Sequence, residues 1–113
     1  MTVLSTSSPG AVVVTVIGEV DMSVTDCLRT SLFEALTTAS RAMIIDLSMV
    51  SFASAAMLRV LVEVTAAARA AGVGCAIVSD QHAVRRIIHL AGLDPVLRPW
   101  PSLASAEYDL AHE

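Results

Sequence analysis

The chain has no lysine. All seven basic residues are arginine, set against eleven Asp and Glu, for a formal net charge of −4. That excludes a Schiff-base lysine and a phosphate-loop lysine. It also argues against a nucleic-acid partner, which calls for clustered positive charge. Aromatic residues are 4% and charged residues 16%, so the core is expected to be aliphatic and the polar surface thin. Cys27 and Cys75 are the only cysteines, and they form no CxxC pair or metal-ligand cluster. Both are expected to be small buried hydrophobes. No uninterrupted apolar run reaches membrane-spanning length, and the Leu47–Leu58 stretch is too short. Met1–Gly10 has no basic residue and is not read as a secretory signal, so a cytoplasmic protein is expected. Glycine-rich phosphate loops, the strained-serine elbow of hydrolases and the paired-histidine zinc motif are all missing. No enzyme, metal or cofactor is expected.

What is present suits one small α/β domain. The 113 residues are 55% hydrophobic, with a mean hydropathy of +0.70. Thr2–Thr6 reads as a weak edge strand and Ser8-Pro9-Gly10 as a turn. Ala11–Ile17, rich in valine, reads as a strand that Gly18-Glu19-Val20-Asp21 closes. Ser23 and Asp26 have the spacing of a capping box before a helix over 24–38. Val24, Leu28, Leu32, Ala35 and Leu36 share one face of that helix. Ala42–Ile45, closed by Asp46, reads as a buried strand followed by a loop over Ser48–Ala53. Ser54 is a candidate cap for a helix over 55–71, and Gly72 and Gly74 stop it. Arg59, Glu63 and Arg69 are expected on its exposed side. A strand over Cys75–Val78, a helix over 81–91, a last short strand at Val96–Arg98 and a final helix to Leu110 complete the chain. Strands separated by helices imply a mostly parallel sheet with right-handed crossovers. The expected architecture is one domain with a sheet of four to five strands and four helices.

Two places draw attention. Glu19 and Asp21 end one strand and Asp46 closes another, so neighbouring strand ends would gather them into a small acidic site; solvated loop carboxylates are the simpler alternative. Small residues over Ser51–Ala56 open a helix whose N-terminal N–H groups would be accessible to an anion or a partner's carboxylate; close packing is the alternative. His82 and His89 lie two turns apart on one helix, too far to share a metal.

These segments resemble the STAS domain, and within it the bacterial anti-sigma factor antagonists. Gly18-Glu19-Val20-Asp21 matches the family's "GE-apolar-D" at the end of a strand. Asp46-Leu47-Ser48-Met49-Val50-Ser51-Phe52 matches "D-L-S-x-V-x-F". The stretches Leu58–Leu61, Ala83–Leu93 and Ser102–Leu110 fit later helices in the same order. The resemblance implies a protein that binds an anti-sigma factor, in many members a GHKL-type serine kinase, and so releases a sigma factor. It implies a switch by phosphorylation of a serine at the start of the helix after the phenylalanine. There the pattern departs. Where the family has "D-S-[ST]-G-L", this chain has Ser54-Ala55-Ala56-Met57-Leu58. Ala55 stands at the phosphoacceptor position and has no oxygen to modify, so an antagonist that is not switched there is expected, with Ser54, one residue earlier, as the alternative, displaced acceptor. The implied partner-binding residues are Glu19, Asp21, Ser54, Ala55, Ala56, Met57 and Arg59. An accessory STAS subunit of a phospholipid-transport ABC system is the alternative role. No nucleic acid or membrane insertion is implied, and the thin polar surface leaves room for a weak homodimer.

Overall fold

The computed structural model describes residues 1–8 and 11–111. The chain runs β1 (Thr2–Ser8), β2 (Ala11–Val20), a 3-10 turn (Met22–Val24), α1 (Thr25–Thr38), β3 (Ala42–Ala53) and α2 (Ala55–Ala70). It continues with β4 (Gly74–Val78), α3 (His82–Leu90), the one-turn α4 (Asp94–Leu97) and α5 (Leu103–Ala111). The sheet order is β1-β2-β3-β4, with β1 antiparallel to β2 and the other pairs parallel. The predicted turn at Pro9 and Gly10 lies outside the described residues.

Period-two alternation in β2 sends Val12, Val14, Val16 and Val20 to one face of the sheet. Leu28, Leu32 and Ala35 of α1, with Leu58, Leu61, Val64 and Ala68 of α2, pack onto that face. The opposite face is covered more thinly. There α5 sets Ala106 against Ile44, Ala76 and Val78.

Four expectations are corrected. First, the stretch read as a loop continues β3 to Ala53. Two register shifts lie along β2–β3, between Thr15 and Ile17 and between Gly18 and Glu19. At each, β3 carries one residue more than β2, which breaks the alternation a strand would show. Second, Val96 and Leu97 are helical and no strand forms at 96–98. Pro95 suits the first turn of a helix, where its missing N–H costs nothing, and Leu97 anchors the turn by burial. The one strand-like contact nearby is the isolated bridge of Trp100 with Val78. Third, Ser23 and Asp26 form no capping box. Asp21 caps the 3-10 turn instead, and α1 starts at Thr25 without a side-chain cap. Fourth, Cys27 is exposed on α1, because its neighbour Leu28 takes the inward position. Cys75 is half-buried, and burial pushes its thiol up to about 11, so it is largely a neutral thiol at physiological pH.

Candidate functional site

The ends of β2 and β3 lie side by side and bring the sequence-predicted residues together. Glu19 pairs with Phe52 and Val20 with Ala53 across the ladder. The Ser54 N–H donates to the Val20 carbonyl at 3.2 Å, which ties the start of α2 to the end of β2. Gly18, at φ +104°, has a backbone conformation that side chains resist, and it sits where the second register shift begins. That is a physical reason for glycine ahead of Glu19.

Asp21 Oδ1 accepts from the Ser23 N–H at 2.9 Å and from the Ser23 hydroxyl at 2.6 Å. These bonds hold its carboxyl below the usual range. Their contribution is present at neutral pH and fades as acid protonates Asp21. Ser54 is the N-cap of α2, and its Oγ accepts from the Met57 N–H at 3.3 Å. Ser54→Ala is expected to cost about 1 kcal/mol, read as a lower urea midpoint with an unchanged slope.

Ala55 is exposed and Ala56 is half-exposed. Met57 is 0% exposed. The expectation that Met57 contributes to a docking surface is therefore overturned, because the first turn of α2 directs it into the core cluster with Leu61 and Val64. Arg59 is exposed as expected. Glu63, one turn on, is taken by Arg29 of α1 at 2.5 Å, so among the described residues Arg59 has no ion pair.

The acidic cluster does not form. Asp46 pairs with Thr15 rather than with the end of β2. Glu19 lies four residues beyond Thr15, roughly 13 Å along the strand. The Asp46 carboxylate accepts from the Ser48 N–H at 3.0 Å, beside the first register shift. Among the described residues no group of His, Cys, Asp and Glu is arranged to hold a metal ion.

Sequence reasoning missed the apolar part of this end of the molecule. Met22 is 78% exposed, Met49 59% and Phe52 51%. Phe52 and Met49 stand opposite Glu19 and Ile17 on the ladder, and Met22 follows in the turn after β2. Reading 48–53 as a loop concealed them. These apolar side chains lie exposed near the end of β2 and β3, with Phe52 opposite Glu19 and Met22 next to Asp21 in the chain.

The model of the STAS domain matches residues 3–106. The chain belongs to the STAS domain family. A search of curated proteins gives no significant match. Among solved structures, the STAS domain is similar to an anti-sigma factor antagonist from Mycobacterium paratuberculosis. The two share 32% identity over 97% of this chain and 93% of that one, with a TM-score of 0.85. A putative anti-sigma factor antagonist from Thermotoga maritima is 19% identical, with coverage of 96% and 94% and a TM-score of 0.85. A sulfate transporter family protein from Wolinella succinogenes is 15% identical, with coverage of 96% and 93% and a TM-score of 0.71. The last two likenesses speak to the fold alone. Among the described residues no helix of this STAS domain is long and apolar enough to cross a membrane.

Proposed function

We propose that this STAS domain is a cytoplasmic anti-sigma factor antagonist that works by docking and performs no reaction of its own. Its partner is an anti-sigma factor, of the GHKL serine-kinase type, and docking releases a sigma factor. The observation that carries the reading is the surface where β2, β3 and α2 meet, on a chain that shares 32% identity with an anti-sigma factor antagonist. Met22, Phe52 and Ala55 offer apolar contact, Glu19 and Asp21 form an acidic rim, and Arg59 borders the far side. Met57 belongs to the core and contacts no partner. Ala55 stands at the phosphoacceptor position, so the domain is not switched there. Ser54 is a poor displaced acceptor, because its hydroxyl already caps α2.

The test is a tagged capture from the native host, with partners identified and the intact mass of the bait recorded. A GHKL-type kinase recovered with bait of unmodified mass is the expected result. Recovery of permease and ATPase subunits would replace this reading with the lipid-transport one. With the kinase in hand, Phe52→Ala and Glu19→Arg are each expected to weaken binding by at least about tenfold. Neither side chain is buried, so the urea midpoint is expected to hold. Glu19 is a cleaner probe of the rim than Asp21, whose carboxylate also holds its own turn. Full affinity in both variants would rule this surface out.

A further inference from the structure

The far edge of the sheet is unfinished. In a parallel ladder, alternate residues turn their backbone groups toward one neighbour. The Gly74 N–H donates to the Arg41 carbonyl, so Gly74, Ala76 and Val78 serve β3, while Cys75 and Ile77 face outward. Trp100 takes the last outward positions, donating to the Ile77 carbonyl at 2.8 Å and accepting from the Ser79 N–H at 2.9 Å. Among the described residues nothing takes the Cys75 N–H, the Cys75 carbonyl or the Ile77 N–H. The segment that would cover them is wound into α4, where the Arg98 N–H is spent on the Asp94 carbonyl at 3.1 Å.

A cavity of about 290 Å³ fills the vacated position, bounded by Thr65 and Arg69 of α2, Ile77 of β4, Trp100 and Asp109. A second cavity, of about 300 Å³, continues from Thr65 and Arg69 past Cys75 to Gly72. The buried Thr65 hydroxyl has no oxygen or nitrogen partner there. Arg69 and Arg98 both line the first cavity, and among the described residues neither is paired with a carboxylate. Two free guanidiniums at one slot, with Asp109 as the one acid on its wall, set a local positive charge on a chain of net charge −4.

We propose that this slot is a second docking site, separate from the end of β2 and β3, which takes an extended acidic segment of a partner protein as an added strand beside β4. The segment's backbone pairs with the Cys75 N–H and carbonyl and with the Ile77 N–H, and its carboxylates meet Arg69 and Arg98. Trp100 closes one end and sets the register.

Trp100 is the only tryptophan and reports on the slot directly. The probe is an end-blocked pentapeptide alternating glutamate and valine, with a twin carrying lysine for glutamate. The expected result is a saturable change in tryptophan emission with half-saturation below about 1 mM for the acidic peptide. The lysine twin gives none. Hydrogen exchange at the Cys75 and Ile77 amides slows on binding, and Arg69→Glu weakens the acidic peptide by about tenfold or more. Arg69 is exposed, so the variant is expected to fold, and its unchanged circular dichroism confirms this. No saturation, or equal response to both peptides, overturns the proposal. So do Cys75 and Ile77 amides already protected in the free protein, which would mean that residues 97–99 close the slot themselves.

Discussion

Ala55→Glu is expected to abolish docking to the anti-sigma factor while leaving the domain slightly more stable. Ala55 is the first residue of α2 and is exposed. A carboxylate there meets the positive end of the helix and gains about 0.3–1 kcal/mol. The same charge, set into the apolar part of the docking surface, must be stripped of water when the partner arrives. Loss of roughly a hundredfold or more in affinity is the expected size for an unpaired charge forced into an interface. Titration calorimetry against the kinase, beside urea unfolding, separates the two effects because they have opposite signs. Retained affinity would place the contact elsewhere. The companion variant Ala55→Ser changes little in affinity and restores an acceptor. With the kinase partner and ATP its intact mass should rise by one phosphate, and docking should then fail, whereas the parent stays unmodified.

Met57→Ala is expected to cost about 2–5 kcal/mol, the range for truncating a fully buried side chain. Met57 is sealed against the core that joins α2 to the sheet, so the loss combines burial with the cavity left behind. For a domain of this size that is a large share of the whole stability, of order 5–15 kcal/mol. Met57→Gly adds the backbone freedom of glycine in the first turn and is expected to be worse still. This matters because the family pattern has glycine at this position. In this STAS domain the methionine is structural, and replacing it with glycine is expected to lower stability before it alters recognition. A thermal melt settles the point, and a Tm within a degree or two of the parent would show that Met57 is dispensable.

The legible parts of the fold were those with a clean period. β2 alternates valines, α1 repeats Leu28, Leu32 and Ala35, and both were readable in place. Met57, Leu61, Val64 and Ala68 also fall at helical spacing, and that signal points Met57 inward. Treating it as surface follows the family pattern instead of the periodicity. The end of β3 was not legible, because each register shift inserts a residue and Ser48 and Ser51 imitate a loop. The exposure of Met49 and Phe52 was hidden for the same reason. Val96–Arg98 carries strand-like residues, but Pro95 and the burial of Leu97 favour a helical turn. Of the candidate site, Glu19, Asp21, Ser54 and Ala55 were legible as a group, since strand ends beside a helix start meet in a parallel sheet. Asp46 was misplaced because the length of β3 was.

The two register shifts let β3 carry extra length without changing what its end presents. Inward positions run Met43, Ile45 and Leu47 on odd numbers, move to Val50, and return to odd at Ala53. Each insertion changes the numbering of the inward positions but is absorbed where it stands, so the residues beyond it keep their face beside β2. The helix therefore starts in the same phase as it would after a strand with neither insertion. Losing one inserted residue would remove its bulge and leave Phe52 opposite Glu19 and Ala53 opposite Val20, so the ring would stay exposed and the methyl buried. Losing two would keep both in place on a shorter strand. This segment can therefore lose either insertion during evolution without disturbing what it presents beside the start of α2.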